Sequence, residues 1–122
     1  RAWLLSCNRQ EIAIENGEFR FRGSIVGGLE QRRPRYEPVA AAVAAAMPEL
    51  WGYVGIDFID STAGPVVLDV NPRLTTSYVG LGRAIRMNPA ELVLGLIDRD
   101  LEAIERPLRV GAERVDVMAL HA

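Results

Sequence analysis

The stretch 52–76, GYVGIDFIDSTAGPVVLDVNPRLTT, constrains the fold of this chain more than any other part of it. Two apolar runs, each carrying a carboxylate, are separated by a short segment of turn-forming residues. That pattern predicts an antiparallel hairpin with strands over 52–61 and 65–72. Successive side chains of a strand point to opposite faces. In the first run Val54, Ile56 and Phe58 share one face, which leaves Asp57 on the other with Tyr53 and Gly55. In the second, Val66, Leu68 and Val70 predict a buried face, and Asp69, Asn71 and Arg73 a polar one. A five-residue connection, Ser61 to Pro65, sets Asp57 opposite Asp69; a three-residue connection sets Asp69 opposite Gly55 instead.

Two carboxylates placed directly across a ladder repel each other, and a cation between them removes the penalty. Asn71, one step along the same face, adds a neutral oxygen, and such a hard-oxygen set suits Mg²⁺, which also takes phosphate oxygens and water. Arg73, next along, has the fork geometry for a phosphoryl group. The residues leave a second reading open. Asp-x-Asn-Pro is also an ordinary way to end a strand, because Asn-Pro favours turns.

Around this hairpin the chain reads as one α+β domain. Residues 2–26 predict a second β-hairpin, turning at Asn16-Gly17 and alternating Phe19 and Phe21 with Arg20 and Arg22. Residues 29–36 read as a charged connection. The segment EPVAAAVAAAMPEL then predicts a helix, with Pro38 in its first turn and Pro48 at its end. Residues 74–87 read as a loop and a short, glycine-loosened helix. Asn88, Pro89 and Glu91 form a capping box for a last helix with Val93, Leu96, Ile97, Leu101 and Ile104 on its apolar face, closed by Pro107. The terminal RVDVMALHA alternates weakly, as a final strand would.

The 122 residues amount to about one domain, and no repeat or linker divides them. A net charge of −2 argues against a nucleic-acid partner. No apolar run approaches the roughly 18 residues of a membrane span, and no signal-peptide pattern opens the chain. The single cysteine, Cys7, fits a reducing, cytoplasmic setting. All 14 cations are arginine. Several residues have a bland reading beside the functional one. VGLGRA (79–84) lacks the strand and third glycine of a dinucleotide loop and reads as a helix start. Cys7 has no histidine partner, since the one histidine, His121, reads as a tail residue, so Cys7 reads as a buried strand cysteine. Arg32, Arg33 and Arg35 read as a solvated connection rather than an anion site. Thr75, Thr76 and Ser77 suit phosphate or substrate hydrogen bonds, and equally the cap of the next helix.

The sequence GYVGIDFID…GPVVLDVNPRLTTS resembles the metal-binding hairpin of the ATP-grasp superfamily, built from a G-x-D/E-F strand and an E/D-x-N-x-R strand. The resemblance spans about residues 3–100 and implies that Asp57, Asp69 and Asn71 are ligands of Mg²⁺ (or Mn²⁺), with Arg73 stabilising the transferring phosphoryl group of ATP. Asp69 stands where Glu is commoner in the family. The opening LLSCNRQEIAI looks like an earlier strand of the same half, which makes Asn8 and Gln10 candidates for ATP or substrate binding alongside Thr75, Thr76 and Ser77. Within the superfamily, NRQ and NPRLTTSYVGL look closest to tyramine–glutamate ligase and related carboxylate–amine ligases of cofactor biosynthesis. The resemblance therefore implies an α+β fold, an antiparallel sheet with helices packed on one face, forming across residues 1–122 the C-terminal portion of an ATP-grasp domain. It implies an ADP-forming ligase that joins a small carboxylate to an amine through an acyl phosphate, open to homodimerisation and inactive as this chain alone. The alternative is a non-catalytic binding or scaffold module of the same fold. The lysines and adenine pocket of such enzymes come from another half, which this lysine-free stretch does not supply.

Overall fold

The computed structural model of the chain describes residues 1–99, 103, 104, 106, 107 and 109–116. A lead-in segment runs into β1 (Arg9–Glu15), which pairs antiparallel with β2 (Glu18–Val26). Asn16 and Gly17 make the two-residue turn between them, with φ of 52° and 80°, the pair of positive φ values a type I′ turn needs. A short 3₁₀ turn leads to α1 (Arg33–Ala46), then β3 (Gly55–Ser61), β4 (Gly64–Asn71), α2 (Tyr78–Ile85), α3 (Pro89–Asp98) and β5 (Glu113–Asp116). The strands form two antiparallel sheets, one of order β1-β2-β5 and one of β3 and β4. The expected α+β class with antiparallel sheets is therefore the observed one.

The core lies where α2 meets the larger sheet. Val26, Leu81, Ala84, Ile85, Leu92 and Ile104 are buried, with Trp3, Leu5, Tyr53, Tyr78 and Val115 packed around them. A Cβ on Gly80 would stand 2.7 Å from a Val115 methyl, so helix and sheet approach closely because that residue has no side chain.

Several expectations are corrected. Residues 2–8 precede the first strand, and 33–36 belong to α1 rather than to a connection. Pro34, not Pro38, occupies the first helical turn, while Pro38 lies inside the helix. The last helix ends at Asp98 and buries Leu92, whereas Ile97 is exposed; Leu101 lies outside the described residues. Asn88 does cap it, accepting from the Ala90 N–H at 3.1 Å. Of the terminal alternating segment, 114–116 fall in β5, and 117–122, with His121, lie outside the described residues.

The expected buried face of β4 is also corrected. Val66 and Leu68 are 54% and 63% exposed. The hairpin turns tightly, with Ser61 paired to Gly64, and its ladder then slips between Asp57/Phe58, from Phe58↔Val67 to Asp57↔Asp69. Leu68 is the extra residue of a β-bulge. The bulge reverses the alternation, so Val66 pairs with Ile59 on the carboxylate-bearing face.

Candidate functional site

The bulge is what sets the site. A two-residue turn alone would put Asp57 opposite Leu68; the extra residue returns it to Asp69, and one step on Gly55 pairs with Asn71. Directly opposed residues hold their Cβ atoms about 4.5–5.5 Å apart. The two carboxylates, with the amide of Asn71, which is 8% exposed, therefore share one end of the hairpin.

Asp57 is the hub. Its Oδ1 accepts from Gln10 Nε2 at 2.8 Å, a hydrogen bond from β1 that joins the two sheets, and its Oδ2 accepts from Asn71 Nδ2 at 3.3 Å. Asp69 is exposed, and its Oδ1 accepts from the Val70 N–H at 3.0 Å. Thr75 lies against Gly55, where an added Cβ would come 2.6 Å from its methyl and 3.7 Å from the Asn71 Cβ. The Thr75 hydroxyl is 3.1 Å from that of Tyr53. Burial, partly offset by the Thr75 hydrogen bond, pushes the Tyr53 phenol up, and the nearby Tyr78 and Asp57 add to the rise. Tyr53 therefore stays neutral as a donor or acceptor beside the carboxylates.

The remaining expected residues do other work or stand at the rim. Arg73 is exposed; its backbone N–H donates to Asn71 O at 2.8 Å and its guanidinium to Leu74 O at 3.2 Å, so no carboxylate ties it down among the described contacts. Thr76 is exposed and lends its carbonyl to the Val79 N–H. Asn8 Oδ1 accepts from the Gly27 N–H at 3.0 Å and the Ser6 hydroxyl at 2.6 Å, which fastens the lead-in segment to the end of β2. Ser77, at the start of α2, lies 3.2 Å from the fully buried Ser24 hydroxyl. The structure thus gathers Asp57, Asp69, Asn71, Gln10 and Thr75, and gives Asn8 and Ser77 internal partners.

One cluster has no counterpart among the expected sites. Asp60 accepts from Arg32 at 2.6 Å, Arg35 at 2.8 Å and the Tyr36 hydroxyl at 2.8 Å, which clamps the start of α1 to β3. The ring of Tyr36 meets Phe58 edge-on with centroids 4.8 Å apart. Arg33 instead donates to Leu4 O and Leu5 O and pairs with Glu30. Arg33 is thus an internal tie, whereas Arg32 and Arg35 pair with Asp60 while their side chains stay about half exposed to solvent. Cys7 is buried, and burial, reinforced by the Glu30 carboxylate, pushes its thiol up to about 12, the environment of a structural cysteine. VGLGRA lies within or at the start of α2, as its helical reading requires.

The donor set fits a hard divalent cation. Mg²⁺ is ordinarily held by one or two carboxylates and completed by phosphate oxygens and water, and Asp57 and Asp69 supply that number. An ionised carboxylate has about four lone-pair positions, so the two amide donors on Asp57 leave room for a cation. Among the described residues no third His, Cys, Asp or Glu joins them. No described helix is long and apolar enough to cross a membrane.

Comparison with known proteins bears on the family and the fold. Residues 1–77 match the ATP-grasp domain family. The fold is similar to the crystal structure of an ATP-grasp superfamily protein from Archaeoglobus fulgidus, 29% identical, with a TM-score of 0.59 over 93% of this chain. The chain spans 41% of the length of that protein. No protein of curated function matches it significantly. A family match over more than half of the residues, including β1 through the Asp57–Asp69–Asn71 hairpin, shows that this chain belongs to the ATP-grasp family.

Proposed function

We propose that this chain is the metal- and phosphate-binding part, C-terminal in its domain, of an ADP-forming ligase that joins a small carboxylate to an amine. The observation that carries the reading is the opposition of Asp57 and Asp69 with Asn71 beside them, a like-charge arrangement that a cation rationalises. Asp57, Asp69 and Asn71 would hold Mg²⁺ or Mn²⁺, which when bound neutralises charge on ATP phosphate oxygens. Arg73, held by no carboxylate among the described residues, is available for the phosphoryl group being transferred. Thr75, beside Asn71, and Thr76, exposed at the rim, would donate to phosphate or substrate oxygens.

A carboxylate is a poor acyl donor, so amide formation needs a better leaving group. The substrate carboxylate oxygen attacks the γ-phosphorus of ATP, and the bond to the bridging oxygen breaks with its electron pair leaving on ADP. The amine nitrogen then attacks the acyl carbon, phosphate departs, and the amine loses a proton. The family resemblance to tyramine–glutamate ligase supports an amino acid as one substrate and a cytoplasmic role in cofactor biosynthesis. The experiment is a screen of amino acids and dicarboxylates against primary amines with the full-length protein, read by ADP release. ADP with phosphate and an amide product supports the assignment; AMP with pyrophosphate, or no turnover with any pair, overturns it.

A further inference from the structure

We infer that Gln10 is a positioning residue that holds Asp57 in the orientation a cation requires, rather than a group that touches ATP or substrate. This rests on the cation reading of the Asp57 site. The hydrogen bond from Gln10 Nε2 to Asp57 Oδ1, at 2.8 Å, bridges residues 47 apart in sequence and runs from the larger sheet to the smaller one. Its origin is anchored. Gln10 pairs across the ladder with Ser24, which is fully buried and 3.2 Å from Ser77, and two residues earlier Asn8 binds the Gly27 N–H.

The second donor to Asp57 does not serve the same purpose. Asn71 reaches Asp57 through Nδ2, at 3.3 Å. An amide ligates a cation through its oxygen, so Asn71 must turn its amide over to do so and gives up that hydrogen bond. Gln10 has no such conflict: it donates to one lone pair of Oδ1 and leaves the others open. It is also neutral, so it orients the carboxylate without adding a positive charge that would repel the cation. Groups that orient a metal ligand typically change metal affinity by 10–100-fold when removed.

The test is Mn²⁺ titration of the protein without nucleotide, followed by electron paramagnetic resonance, for the wild type, Gln10→Met and Asp57→Asn. Methionine keeps the length of the side chain and removes the donor. Gln10→Met should weaken Mn²⁺ about tenfold or more and broaden the bound-ion spectrum, with the metal-free melting temperature unchanged. Unaltered affinity and line shape in Gln10→Met, while Asp57→Asn loses binding, would overturn the positioning role and leave the cation site standing. Unaltered binding in both variants would overturn the cation site itself. Weakened binding together with a lowered metal-free melting temperature would make Gln10 merely structural and likewise overturn the inference.

Discussion

Asp57 and Asp69 face each other across β3 and β4 because Leu68 is squeezed out of the ladder between them. Like charges directly opposed across a ladder destabilise it. In Asp57→Asn that repulsion disappears, and the new amide can still accept from Gln10. The metal-free protein should therefore melt at the same temperature or slightly higher. Mn²⁺ should raise the melting temperature of the wild type and leave that of the variant unchanged. Differential scanning fluorimetry with and without Mn²⁺ checks both halves, and an equal Mn²⁺ shift in the two proteins would remove the carboxylate pair as a cation site.

The clamp on Asp60 gives a pH dependence. Hydrogen bonds from Arg35, Tyr36 and Arg32 hold its carboxyl at about 2, below the ordinary 3.8. A carboxyl whose pKa is depressed by folding stabilises the fold above its unfolded value and loses that contribution as pH falls through the folded one. The stability difference between the wild type and Asp60→Asn should be constant above about pH 5 and shrink between pH 4 and 2. Thermal melts across that range measure it, and a difference independent of pH would show that the ionised clamp contributes nothing. Tyr36→Phe removes one donor from a buried position and should cost about 1 kcal/mol at neutral pH.

The parts of this fold that were legible before the structure are those with local causes. The Asn16-Gly17 turn follows from two residues that tolerate positive φ, and the start of α3 from an asparagine followed by proline. The opposition of Asp57 and Asp69 is one of the two registers that the sequence leaves open, and it forms through a shorter turn than the five-residue connection that register implies. The tight Ser61–Gly64 turn and the bulge at Leu68 compensate each other. Nothing in the run VVLDV marks which residue leaves the ladder, because Val66, Val67 and Leu68 are alike in size and polarity. The ties that fix the site from outside, Gln10 to Asp57 and the start of α1 to Asp60, join residues 24 to 47 positions apart. Such pairings depend on how the sheets pack, which alternation within a strand does not encode.

The chain on its own should bind ATP weakly. It carries the carboxylates and Arg73 but no lysine, and it spans 41% of the related Archaeoglobus protein. Isothermal calorimetry of residues 1–122 with ATP and Mg²⁺ should show little heat, and micromolar affinity would mean that the nucleotide site is complete within these residues.

Arg73 bears the sharpest test of the chemistry. Its guanidinium rests on a backbone carbonyl at the rim of the site, so it can reorient toward a ligand without breaking an ion pair to any described residue. As the phosphoryl group passes from ATP to a carboxylate, charge spreads over its equatorial oxygens, and a planar fork can bind two of them at once. Lysine keeps the charge and loses the fork. Arg73→Lys should therefore lower kcat by about 100–1,000-fold, the range in which a lost oriented donor falls, while KM for ATP changes by less. The variant should still release ADP and phosphate when it turns over. Steady-state kinetics of the full-length enzyme separates the two parameters. A rise in KM with kcat intact would make Arg73 a ground-state phosphate contact, and would withdraw its role in the transfer step.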